Sequence, residues 1–88
     1  MSKITPVTLT VAGTDISFHP TVVAYNSYLN DVTMTDKVAP SHNYLTKIVA
    51  PESKPDLTEL LKLPGAALQI AGKLNDLFAP QLDITVKN

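Results

Sequence analysis

Val7, Leu9 and Val11 alternate with Thr8 and Thr10 near the start of the chain, and Leu82, Ile84 and Val86 alternate with Asp83, Thr85 and Lys87 near its end. A period of two places apolar side chains on one face of a strand and polar ones on the other. Such a strand has one buried and one wet face. It cannot stand alone, so it has to pair and be covered. After Val11 comes Ala12-Gly13-Thr14-Asp15, a turn in which Gly13 can take a positive φ at little cost. Ile16 and Phe18 then alternate with Asp15 and Ser17, which completes a hairpin. The hairpin is the only sheet within the chain that the tail strand could join. The expected architecture is therefore α+β: an N-terminal β-hairpin plus a C-terminal strand forming a small antiparallel sheet, with about four helices between them packed on one face.

Proline and polar punctuation divides the middle of the chain. His19-Pro20-Thr21 ends the hairpin, and Thr21 suits the N-cap of a first helix over Val22–Asp31. Val22, Tyr25, Leu29 and Val32 fall on one helical stripe, and Tyr28 lies beside it. The stretch Thr33-Met34-Thr35-Asp36 is poor in helix formers and predicts a loop. A second helix is expected over Pro40–Val49, with Pro40 in the first turn and Tyr44, Leu45, Ile48 and Val49 as its apolar face, stopped by Pro51. Ser53 with Asp56 resembles a capping box ahead of a short third helix carrying Leu57, Leu60 and Leu61. After Leu63-Pro64-Gly65 a fourth helix runs to Phe78, with Ala67, Ile70, Leu74 and Leu77 as its buried stripe. Gly72 inside that helix costs about 1 kcal/mol relative to Ala, which a close helix–helix approach would justify. No internal repeat or domain boundary is visible, so residues 1–88 form a single expected domain.

The 88 residues are 44% hydrophobic, an ordinary globular value. Without Cys, neither disulfides nor thiolate metal sites can supplement the core, and a disulfide-free chain of this size fits a reducing cytosol. The start of the sequence has no signal-peptide core, and no stretch reaches the roughly 20 apolar residues of a membrane span. The net charge is −1, and all 7 basic residues are Lys, scattered along the chain. Arg is the residue best suited to phosphate and base-edge recognition. Its absence, together with the scattered Lys, argues against nucleic-acid binding.

No residue pattern points to catalysis. His19 and His42 have no ligand-type neighbour at helical spacing, so a turn and an exposed helix position account for them. Asp31 and Asp36 flank a loop, while Asp56 and Glu59 sit near a helix start, where carboxylates are favourable. Neither pair forms the converging couple that acid–base chemistry needs. Gly13, Gly65 and Gly72 make no phosphate loop, and no Ser has a nucleophile-elbow context. The expected class is a non-enzymatic binding protein without a cofactor or metal. Of the three tyrosines, Tyr25 and Tyr44 fit the core stripes, and Tyr28 is the one placed for an exposed contact.

The order of several short segments carries a family resemblance. Phe18-His19-Pro20-Thr21 leads into Tyr25-Asn26-Ser27-Tyr28-Leu29-Asn30, then Lys37-Val38-Ala39-Pro40-Ser41-His42-Asn43-Tyr44-Leu45. Leu63-Pro64-Gly65-Ala66-Ala67-Leu68-Gln69-Ile70-Ala71 and Pro80-Gln81-Leu82-Asp83-Ile84-Thr85-Val86-Lys87 follow. Over nearly its whole length the chain resembles the small tail assembly chaperones of tailed bacteriophages and prophages. The resemblance implies a protein that coats the long apolar tape-measure protein, helps recruit tail tube subunits, and leaves before the tail is complete. It implies action in the host cytoplasm and absence from the mature virion. In several such systems a frameshift makes a C-terminally extended form. The family defines no catalytic residues. Lys37, Val38, Ala39, Pro40, Asn43 and Pro64-Gly65 match its recurrent pattern and are taken as fold determinants.

A tape-measure binder has to present apolar surface to an apolar helix, by a helical face or by an open sheet edge that adds a strand from a partner or from another copy. Val23, Tyr28 and Met34 lie off the expected core stripes, so the partner surface is expected within Val22–Val49. Rival readings are a small adaptor retained in the virion, a DNA-binding phage regulator, and a small enzyme with an unrecognised pocket.

Overall fold

The computed structural model describes residues 6–79 and 82–87. Its described elements are two strands, β1 (Val7–Val11) and β2 (Thr14–Phe18), then helices α1 (Val22–Asp31), α2 (Val38–Ile48), α3 (Lys54–Leu60) and α4 (Ala66–Phe78), with a 3₁₀ turn over Pro51–Ser53 before α3. The strands pair antiparallel, with Val7 opposite Phe18, Leu9 opposite Ile16 and Val11 opposite Thr14. Ala12 and Gly13 connect them with φ of 50° and 83°. Positive φ at both central residues is what a two-residue type I′ hairpin requires, and its twist matches that of the strands. The alternation sorts the two faces. Leu9, Ile16 and Phe18 are buried. On the other face the Thr8 and Ser17 hydroxyls pair at 2.8 Å, and Thr10 Oγ1 donates to Asp15 Oδ1 at 2.7 Å.

Thr21 caps α1, its hydroxyl accepting from the Ala24 N–H at 3.1 Å. Helix α2 begins at Val38, two residues before the expected start, because Pro40 within the first turn lacks only an N–H that has no helical partner there. Pro51 fixes the helix's other end. The residue before a proline is pushed to extended backbone, and Ala50 sits at φ −64°, ψ 142°, with Val49 at φ −65°, ψ 140°. This extended stretch lies along the outer edge of β2: His19 N–H donates to the Ile48 carbonyl and Ala50 N–H to the Ser17 carbonyl, both at 2.8 Å. Val49 bridges Phe18 in antiparallel fashion. Ser53 is buried, and its hydroxyl accepts from the Ser17 N–H at 3.0 Å. It makes no cap bond to α3, so the capping-box reading is corrected: the side chain ties the 3₁₀ turn to the sheet. Gly65 precedes α4 with φ 74°, a conformation a Cβ would strain, which explains the Pro64-Gly65 step.

Helix α2 lies at the centre, with α1 and α4 against its sides, while α4 also packs on β1 and α3 on β2. Phe18, Ile16, Leu45, Leu57, Ala71 and Leu74 are fully buried. The core face of α4 is Ala67, Ile70, Ala71 and Leu74; Leu77, expected in that stripe, is exposed.

The three-stranded sheet is not formed. Among the described residues the sheet has two strands, and Leu82, Ile84 and Val86 are unpaired and 71%, 80% and 84% exposed. The physical reason is on β2, whose outer edge is already taken by Ile48–Ala50. That part of the tail prediction that falls on Gln81 lies outside the described residues.

A Cβ added at Gly72 meets nothing within 4 Å, so no close approach offsets its cost. Gly72→Ala is expected to raise the unfolding free energy by about 1 kcal/mol. Ser53→Ala is expected to lower it by about 1–3 kcal/mol, because it strands the Ser17 N–H. Urea unfolding followed by circular dichroism measures both; equal effects of the two substitutions would contradict the roles assigned to these residues.

Candidate protein-binding surface

Helix α1 is held from one side only. Ala24 is its single buried residue, and Tyr25, Tyr28 and Val32 are half-buried beside it. Three ring contacts set this orientation. Tyr28 stacks on Tyr44 of α2 with centroids 4.9 Å apart at 23°. Tyr25 meets Tyr44 edge-on at 6.2 Å and Phe78 of α4 at 6.0 Å. Large rings bury more surface than Val or Leu and gain from offset and edge geometries. The helix therefore turns its tyrosines inward and leaves Val22 and Leu29 at 65% and 50% exposure. This corrects the expected stripe, in which Val22 and Leu29 were core, and the expected exposure of Tyr28.

Val23 and Met34, the other two residues placed on the partner surface, are 80% and 89% exposed. Among the described residues, five of the eleven exposed large hydrophobic side chains fall between Val22 and Val38: Val22, Val23, Leu29, Met34 and Val38. The other concentration is Leu68, Leu77, Leu82, Ile84 and Val86, on α4 and the tail. From Thr21 to Asn30 there is no charged residue; Asp31, Asp36 and Lys37 are interspersed with the later members, Met34 and Val38. Val22, Leu29 and Val38 were not anticipated as surface. The available signal was that α1 carries apolar residues around more than half of its circumference, so one core contact could not cover them all.

Beneath this surface the polar groups are buried rather than poised. Among the described residues, the Tyr44 hydroxyl, Ser41 Oγ and Asn75 Oδ1 are buried without a hydrogen-bond partner. Burial, with smaller contributions from Tyr25 and Tyr28, pushes the Tyr44 hydroxyl from 10.0 up to about 12. His19 is exposed in the loop after β2 and His42 is exposed on α2. Among the described residues no group of three His, Cys, Asp or Glu side chains is placed to hold a metal ion. What this face offers a ligand is desolvation and van der Waals contact.

The family model for phage tail assembly chaperones matches residues 7–88. The chain belongs to that family. It is also 46% identical over 82 residues to an uncharacterised 11.3 kDa protein in the lys 3′ region of Haemophilus phage HP1, an alignment covering 93% of this chain and 80% of that one. No solved structure matches the chain. Family membership places its role in tail assembly inside an infected cell. No helix among the described residues is long and apolar enough to cross a membrane.

The raised Tyr44 value fixes the sign of an alkaline effect. A group whose folded pKa exceeds its unfolded one contributes stability that is constant below the unfolded value and is lost as pH rises through the folded one. Stability should hold to pH 10 and fall between pH 10 and 12. Tyr44→Phe is expected to flatten that fall by an amount on the order of 1–3 kcal/mol. At pH 7 it should leave stability unchanged or higher, because the hydroxyl it removes is unpartnered. Thermal melts of both proteins across this range provide the measurement.

Proposed function

We propose that this chaperone acts without enzymatic chemistry, by covering apolar helical segments of the tape-measure protein with the exposed face of α1 and the loop to Val38. The observation that carries the reading is the uncharged aliphatic patch of Val22, Val23, Leu29, Met34 and Val38 on a chain of this family. Exposed apolar groups concentrated in one region of a small domain mark an interaction site. An amphipathic or apolar helix laid against α1 would bury those side chains without needing a charged partner. In this reading the chaperone keeps the tape-measure protein soluble in the host cytoplasm until tail tube subunits replace it, and it does not remain in the virion. The fold suits the task because α1 rests on stacked rings instead of sharing its aliphatic residues with the core.

The test is co-expression with the tape-measure protein encoded by the same phage. The double variant Val23→Asp with Met34→Asp changes only exposed side chains, so the circular dichroism spectrum should be unchanged and the unfolding free energy should stay within about 0.5 kcal/mol of the parent protein. Co-purification should fall at least tenfold, and the tape-measure protein should shift into the insoluble fraction. Undiminished co-purification would place the interface elsewhere. Detection of the protein in purified mature particles at tube-like copy number would instead favour a retained adaptor.

A further inference from the structure

The outer edge of β1 and the segment Leu82–Lys87 are complementary, and they are separate from the α1 surface. The Ser17 C=O and N–H both point away from β1, to Ala50 and Ser53. Ser17 is therefore a non-hydrogen-bonded pair with Thr8, its partner in the register. The same parity turns the N–H and C=O of Thr8 and Thr10 outward on the opposite edge. Among the described residues no strand lies there. Edges of this kind are templates for strand addition unless they are covered.

Next to that edge, β1 and α4 leave an open cleft of ≈ 380 Å³, lined by Leu9, Val11 and Ile70 with the Gln69 and Lys73 side chains at its side. Leu77 lies one helical turn beyond Lys73 on the same side of α4 and is exposed. Lys73 lies between the cleft and Leu77, so the apolar strip beside the β1 edge is the Leu9, Val11 and Ile70 lining of the cleft itself. A strand laid on the β1 edge needs apolar residues toward this strip and polar ones toward the face of Thr8, Thr10 and Asp15. Leu82, Ile84 and Val86 supply the first, and Asp83, Thr85 and Lys87 the second. Six residues extend roughly 20 Å, which matches the roughly 17 Å of β1. The segment stands unpaired and exposed in its own chain.

We propose that the β1 edge is occupied by Leu82–Lys87 of a second copy of this chain, each copy lending its strand to the other. Both copies carry the same edge and the same strand, so reciprocal addition closes a two-fold pair and leaves no β1 edge open. The added strand completes in trans the three-stranded sheet that the isolated chain lacks. This assembly does not depend on what α1 binds.

Light scattering on the full chain tests it, together with Ile84→Asp and Thr10→Pro. Ile84→Asp alters only an exposed residue. Thr10→Pro removes an N–H that makes no bond to β2, which edge strands tolerate. The full chain is expected to have the mass of two copies, and each variant the mass of one, with unchanged far-UV circular dichroism. If Thr10→Pro fails to fold, Ile84→Asp decides. The chain has no native Cys, so a mixture of Thr10→Cys and Thr85→Cys chains also distinguishes the partners: oxidation should yield the mixed disulfide dimer, and Ile84→Asp in the second chain should suppress it. A full chain that stays monomeric at high micromolar concentration overturns the proposal. So does association that survives Ile84→Asp, or a monomer whose own residues 82–87 are protected from hydrogen exchange.

Discussion

The fold depends on one short contact: the last residue of α2, Ile48, and the extended Val49 and Ala50 lying against β2. A two-stranded hairpin is marginal in water. Here two main-chain bonds and the Ser53 hydroxyl fasten it to the end of α2. Pro51 makes the contact possible by holding Ala50 extended, so a helix stop signal also serves as a sheet connector. Once the hairpin is docked, Ile16 and Phe18 join Leu45 and Ile48 in one buried cluster, and α2 becomes the support on which α1 and α4 rest. The same contact blocks the β2 edge and leaves β1 as the open one.

That arrangement separates the parts of the chain that hold the core from the parts that face outward. Leu45, Leu57, Ala71 and Leu74 are fully enclosed, whereas α1 contributes only Ala24 and the inner sides of its tyrosines. A helix with so little enclosed surface is expected at the low-stability end of the molecule, where local opening is cheapest. The stacked rings of Tyr25, Tyr28 and Tyr44 offset this, and the unpartnered Tyr44 hydroxyl is part of the cost. Since the rings do the packing, the aliphatic residues of α1 are left free for a partner.

What was legible in the sequence follows from which forces are local. The hairpin could be read because alternation sets both faces and Gly13 sets the turn. The start of α1, the end of α2 and the start of α4 could be read because Thr21, Pro51 and Pro64-Gly65 act on their own neighbours, whereas Pro40 misplaced the start of α2 by two residues. The rotation of α1 could not, because a helix apolar around much of its circumference takes its orientation from what it meets, here Tyr44 and Phe78. Ser53 matched a capping pattern, but a tertiary acceptor role won. Val49 took the sheet edge as a single bridging residue, too short to leave a periodic signal. The tail's alternation stated that Leu82–Val86 can be a strand, and said nothing about which edge it would pair with. The surface residues Val23 and Met34 were found by elimination, whereas Val22 and Leu29 were hidden by the wrong rotation.

The chemistry of the α1 face also bears on how such a protein could let go. The chain has no Trp and no Arg, the two residue types that with Tyr dominate binding hot spots. Its tyrosines are committed to packing within the monomer. Val, Leu and Met side chains alone, with no charge pair to anchor them, give modest affinity for each contact. A long apolar partner can still be covered if copies are linked, since linkage converts later contacts into intramolecular ones and multiplies weak affinities. Strand exchange through the β1 edge would provide such a link using main-chain bonds and the tail, leaving α1 untouched. Weak, repeated contacts can be displaced one at a time, which the proposed covering role would require.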